Sequence, residues 1–232
     1  MAVQPPSAII VSMKKPKLVN GEFYHIYNRG VDKRNVFIDD YDLERFFQGM
    51  DEFNTVNPIG SLYESSFLDQ SVRAKRKNKS LIKFIAYCLN PNHYHFILQQ
   101  ITDGGITEFM KRLNGGYTWY FNNKYKRSGA LFQGRFKAVH VDTNKYLLHL
   151  SIYVNLNNLV HNLPLGGSTA KLSKSSWEEY GEGIKQFNFC SKDIILKQFK
   201  NRREYKQFAK SSLEDILERK EREKEVANLL LE

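Results

Sequence analysis

Two histidines one residue apart, His93 and His95, interrupt an otherwise apolar run in Asn92-His93-Tyr94-His95-Phe96-Ile97-Leu98. Side chains alternate across a strand, so both imidazoles fall on one face while Tyr94, Phe96 and Leu98 fall on the other. The apolar set can be buried under helices, which leaves the imidazoles together on the open face. Neutral imidazoles side by side suit one divalent ion. The same alternation also fits the plain polar side of an amphipathic strand. A second pair lies in Tyr146–Asn157, YLLHLSIYVNLN, where Tyr153 and Asn157 are four residues apart and share a helical face with Tyr146 and Leu150. Asn157 offers a neutral oxygen to a metal and Tyr153 a nucleophile; a core tyrosine with its hydroxyl bonded locally is the plainer alternative. Third, Lys124–Lys137, KYKRSGALFQGRFK, mixes Lys124, Lys126, Arg127, Arg135 and Lys137 with Tyr125, Phe132 and Phe136. That mixture can hold phosphates and stack bases, and it also describes an ordinary basic loop leading into a strand.

The elements that must position these residues follow from the pattern around them. Gly21–Val31 is rich in aromatic and β-branched residues and predicts a strand. Asp39 and Asp40 can cap a helix whose apolar positions are Leu43, Phe46, Phe47, Met50 and Phe53. Residues 57–80 are polar and include a basic run over 73–79, which fits a solvated loop or one that touches phosphate. Leu81–Leu89 and His93–Gln100 predict two strands joined by Asn90-Pro91-Asn92, too short a link for anything but an antiparallel hairpin. Thr107–Lys126 has helical spacing, weakened in the middle by Gly115-Gly116. Leu131–Val141 reads as extended, and Asp142-Thr143-Asn144 can cap a helix reaching about Leu159.

The order β-α-β-β-α-β-α predicts an α+β class: a ferredoxin/RRM-like antiparallel sheet with helices packed on one face, plus a helical C-terminal extension. The expected division is a tail over 1–20, a domain over 21–163, and a linker with a charged helical extension over 164–232. In that extension Leu213, Ile216 and Leu217 form one narrow apolar stripe, which suits a solvated helix or one that binds a partner.

Composition limits the function classes. Of 232 residues, 41% are hydrophobic and 13% aromatic, too many rings for a chain disordered throughout. No run of about 18 apolar residues exists, so no membrane span is expected. Near the start the basic residues follow the apolar patch Ala8–Met13, whereas a secretory signal would place them before it. The two cysteines, Cys88 and Cys190, are too few for a disulfide framework and neither has a metal-type cysteine neighbour, so a cytoplasmic setting is expected. A net charge of +10 favours a polyanionic partner, nucleic acid first.

Four blocks in order, YHIYNRG (24–30), YCLNPNHYHFIL (87–98), GALFQGRFKAVHVD (129–142) and YLLHLSIYVNLN (146–157), resemble the IS200-like transposases. Within these the chain looks most like the REP-associated tyrosine transposases of the HUH endonuclease superfamily, each with a single catalytic tyrosine. The resemblance spans about Gly21 to Leu163. It implies that His93, His95 and Asn157 hold a divalent metal, Mg²⁺ or Mn²⁺, and that Tyr153 is the nucleophile. Tyr146 is its rival on the same stripe, but Leu150 stands where the matching amide would be. The implied reaction is nicking and strand transfer of single-stranded DNA beside a hairpin, through a 5′-phosphotyrosine. No nucleotide cofactor is needed, and no GxxxxGK[ST] loop is present. Arg29, Lys124, Lys126, Arg127, Arg135 and Lys137 are the expected DNA contacts, and a homodimer is left open.

The sequence departs from the family pattern at Asn90, where Met is common, at Phe132-Gln133 for Trp-Glu, and at Asn155 and Asn158 for Glu and Pro. A catalytically silent descendant that only grips nucleic acid hairpins is the alternative function. A histidine-rich metallohydrolase is disfavoured, because no paired Asp or Glu stands beside the two histidines.

Overall fold

The computed structural model describes residues 16–69, 71–72, 79–160, 172–182 and 189–229. Among these residues five strands form one sheet in the order β4-β1-β3-β2-β5: β1 Phe23–Arg29, β2 Ile82–Asn90, β3 His93–Gln100, β4 Lys137–Val141 and β5 Lys174–Ser175. Every neighbouring pair is antiparallel. β2 and β3 form the expected hairpin across Pro91-Asn92, with Asn90 opposite His93 and Cys88 opposite His95. The class is α+β, as the element order predicts.

The helices are α1 Asp40–Glu52, α2 Leu62–Ser66, α3 Gly105–Lys124, α4 Asn144–Asn155, α5 Asn157–Val160, α6 Asp193–Leu196 and α7 Arg202–Leu229. Asp39 caps α1, its side chain accepting from the Asp42 backbone N–H. Thr143 does the same for α4 through the Tyr146 N–H. α3 runs unbroken through Gly115-Gly116, and Gly116 is where the Phe53 ring comes close: an added Cβ would meet that ring at 3.0 Å.

α1 and α3 cover the face of the sheet that carries Tyr94 and Phe96. Phe46 of α1 packs on both rings, and Phe109 of α3 meets Phe84 edge-on at 5.5 Å. Helices are not confined to that face. α4 lies across the opposite one, against β2 and β3, because its own apolar stripe (Leu147, Leu150, Val154) needs a surface to cover.

The extension is continuous with this core. β5 pairs with β2, and Ser176 Oγ accepts from the Tyr87 N–H at 2.9 Å. Tyr180, Tyr205 and Ala209 are fully buried in the same apolar cluster as the sheet. α7 packs on α4, with Asn155 Nδ2 donating to the Tyr205 hydroxyl at 3.0 Å. A boundary at 163/164 therefore cuts through one core. The glycines at 166 and 167 lie outside the described residues, as do the tail before Lys17 except Pro16 and most of the basic run at 73–78. No helix among the described residues is long and apolar enough to cross a membrane.

Candidate metal and nucleophile site

β3 presents His93 and His95 on the α4 side, as alternation requires, but neither lies on an open surface: they are 5% and 8% exposed. α4 covers them and brings Tyr153 over His95, ring centroids 5.7 Å apart and nearly perpendicular. α4 ends at Asn155, Leu156 is kinked out of helical geometry, and Asn157 opens α5. The chain still turns enough to set Asn157 beside Tyr153 and against His93, with Asn157 Oδ1 3.2 Å from His93 Nε2. One chain thus brings together all four residues singled out by spacing.

Three further residues complete the cluster. His25 of β1 lies on the same face, its Nε2 2.9 Å from His95 Nδ1. Burial pushes the His25 pKa down to about 4, so the ring is neutral near pH 7. With Nδ1 committed to His25, Nε2 is the nitrogen that His95 can offer an ion. Asn90 Nδ2 donates to Asn157 Oδ1 at 2.8 Å and to His93 Nε2 at 3.0 Å. On its outer side Asn90 Oδ1 accepts from Ser173 Oγ at 2.6 Å. A bulge on β2 puts Asn90 there. The pairing slips between Phe84 and Ala86, so Phe84 faces α3 while Cys88 and Asn90 face α4.

These donors fit a divalent cation. His93 Nδ1 lies 2.5 Å from Asn92 Oδ1, an acceptor, so Nδ1 carries a proton, and in the neutral ring Nε2 is the acceptor, taking a hydrogen from Asn90 Nδ2 at 3.0 Å. Nε2 also faces Asn157 Oδ1, and two acceptors 3.2 Å apart require positive charge between them or beside them. Here an amide NH₂ supplies it. Among the described residues no three His, Cys, Asp or Glu side chains are grouped to hold a metal; the further oxygen beside His93 is the Asn157 amide. With every ligand neutral, an ion would keep its full charge for a phosphate.

The Tyr153 phenol is held above its ordinary pKa, chiefly by burial, while Asn157 and the Arg29 charge pull it back down. Among the described residues, Asn157 Nδ2 is buried without a hydrogen-bond partner, and Asn157 is the neighbour that most favours ionisation of Tyr153. Tyr146 is also raised by burial, but its next influence is Asp142, which opposes ionisation further.

The expected DNA contacts divide. Arg29 and Lys137 come from strand positions on the histidine face: Arg29 pairs across from His93, and Lys137 Nζ sits 5.9 Å from the Tyr27 ring, which itself stacks on His95. Arg135 is exposed just before β4, and Lys126 and Arg127 follow the end of α3, Arg127 bonding Asn122. Lys124 stands apart. Its ammonium bonds Asp39 at 2.7 Å and the fully buried Asp42 at 2.8 Å, tying α3 to the start of α1. It is a structural cation, because Asp42 would otherwise be a buried carboxylate without a counter-charge. Lys124→Met should therefore lower stability in urea by about 2 kcal/mol, while the folded protein keeps the wild-type affinity for DNA.

Comparison with known proteins finds similarity over the stretch that carries these residues. Residues 65–157 match the family model described as "Transposase IS200 like", a stretch that contains His93, His95 and Tyr153 and ends on Asn157. That stretch of the chain is similar to the IS200-like transposases. No curated protein matches the chain. Among solved structures, a REP-associated tyrosine transposase bound to a REP hairpin aligns with 12% identity and a TM-score of 0.46, covering 77% of this chain and 90% of that one.

Proposed function

We propose that this protein nicks and rejoins single-stranded DNA beside a hairpin, with Tyr153 as the nucleophile, in the manner of an IS200-like transposase. The observation that carries the reading is the meeting of the Tyr153 ring, two imidazoles and the Asn157 amide on one sheet face, inside the segment that matches the family. His93 Nε2, His95 and Asn157 Oδ1 would hold Mg²⁺ or Mn²⁺, which polarises the scissile phosphate and offsets charge on its oxygens.

Tyr153 attacks phosphorus in line. The phenol loses its proton, the P–O3′ bond breaks, and the departing 3′ oxygen takes up a proton, leaving the 5′ side as a phosphotyrosine. Attack by another 3′-hydroxyl reverses these changes and rejoins the strand. Asn157 steadies the phenolate, and His25 keeps His95 in one tautomer. Arg29 and Lys137 would flank the phosphate, with Arg135, Lys126 and Arg127 contacting the strand beyond it. Lys124 is not among these contacts, its charge being taken up by two carboxylates. Loss of one phosphate contact in Arg29→Ala should reduce the salt dependence of single-strand binding, log K against log salt, by about 0.7.

The test is incubation with Mn²⁺ and a pool of labelled oligonucleotides carrying a hairpin and randomised single-stranded flanks. The expected product is a covalent adduct bearing the 3′-side fragment, absent with fully duplex DNA. Tight binding with no adduct from any member would overturn the enzyme reading in favour of a silent hairpin-binding module.

A further inference from the structure

The geometry points to Asn90 as a fourth protein ligand of the metal in this chain, its amide turning so that Oδ1 rather than Nδ2 faces the ion. The inference rests on the proposed metal site and extends it to a residue at which this chain departs from the family it resembles.

Three atoms form a nearly equilateral triangle: the inner atom of the Asn90 amide, His93 Nε2 and Asn157 Oδ1, with edges of 2.8, 3.0 and 3.2 Å. Adjacent ligands around an octahedral ion with bonds near 2.1 Å are about 3.0 Å apart. The triangle therefore has the size of one face of such a coordination shell. Two of its corners, His93 Nε2 and Asn157 Oδ1, are lone-pair atoms that both accept from Asn90 Nδ2. The third is a carboxamide end, which is oxygen or nitrogen according to a half-turn about one bond.

The surroundings accept that half-turn. The outer amide atom faces Ser173 Oγ at 2.6 Å and Cys88 Sγ at 3.7 Å. A hydroxyl accepts as readily as it donates, and Ser173 Oγ can turn its hydrogen to the Leu89 carbonyl, 3.4 Å away. With Nδ2 outward, Asn90 would donate to Ser173 Oγ while its Oδ1 faced the ion. With Nδ2 inward, its two hydrogens hold together acceptors that would otherwise repel, which is the electrostatic role of a cation. Asn90 is fully buried, so solvent does not compete for either orientation. A methionine here would offer a thioether, a poor ligand for Mg²⁺ or Mn²⁺. This chain should accordingly hold its metal more tightly than its Asn90→Met variant.

The experiment titrates the full chain with Mn²⁺ alone, without DNA, and reads unbound Mn²⁺ from its electron paramagnetic resonance signal. Folding of each variant is checked by circular dichroism. Asn90→Met should bind about tenfold more weakly than wild type, and Asn90→Asp, which presents a charged oxygen at the same point, about tenfold more tightly. The opposite directions separate a ligand from a residue that merely steadies Asn157, since an aspartate cannot donate to Asn157 Oδ1 and would then weaken binding. Unchanged or tighter binding by Asn90→Met, or no gain with Asn90→Asp, overturns the ligand assignment. His95→Ala keeps the two ideas apart. If it abolishes binding while the Asn90 variants match wild type, the metal site stands and Asn90 is no ligand. If wild type and His95→Ala bind Mn²⁺ equally, or neither binds it, the metal site itself fails and the Asn90 assignment with it.

Discussion

Tyr153→Phe should abolish the covalent DNA adduct, lowering its yield at least about a thousandfold, while leaving oligonucleotide affinity near the wild-type value. The substitution removes one oxygen from a ring that is already partly buried and packed edge-on against His95, so packing is preserved. What disappears is the only atom of that side chain able to attack phosphorus. Tyr146→Phe is the informative companion. Tyr146 sits on the same helix, but it has no amide beside it and its electrostatic neighbour is Asp142. Its variant should form adduct at a rate close to wild type. The comparison is measured as labelled oligonucleotide retained on denaturing gels, and a Tyr153→Phe adduct of wild-type yield would remove the nucleophile assignment.

Removal of the metal, or of one imidazole, should have the second largest effect. EDTA should stop cleavage, Mn²⁺ should restore it, and His95→Ala should cleave on the order of a hundredfold more slowly at saturating Mn²⁺. The reasoning is electrostatic. Every other candidate ligand, His93, Asn157 and Asn90, is neutral, so the cluster itself brings no positive charge to a phosphate. Without an ion the developing charge on the phosphate would meet only Arg29 and Lys137. Cleavage that proceeds unchanged in EDTA would deprive the histidine pair of its proposed role. Because His95 also contacts His25 and Tyr27, thermal unfolding of the variant should accompany the kinetics.

The strand carrying the histidines was legible because alternation is a local property: Tyr94, Phe96 and Leu98 had to face one way, and the helices on that side confirm it. The Tyr153–Asn157 spacing was legible for the same reason, even though the helix breaks between them. His25 was missed as part of the site. Its alternation with Tyr27 and Arg29 marks one strand face, but which face meets His95 depends on strand register, and nothing local encodes that. Asn90 was visible only as a departure from a family pattern. Strict alternation from Phe84 would have put it on the α3 side, and the bulge between Phe84 and Ala86 reverses this. The tie of Lys124 to Asp39 and Asp42 was not legible, because these partners lie more than eighty residues away in sequence. The extension looked separable because charge dominates its composition, whereas a few residues, Tyr180, Tyr205 and Ala209, bury it in the core.

The central claim is that a phenol from α4 and a carboxamide from α5 meet two imidazoles of β3 around one cation. Anomalous diffraction at the manganese edge from crystals grown with Mn²⁺ tests it most directly. The account predicts a single strong peak within about 2.3 Å of His93 Nε2, His95 Nε2 and Asn157 Oδ1, beneath the Tyr153 ring. A peak bound elsewhere on the chain, with this cluster unchanged, would contradict it.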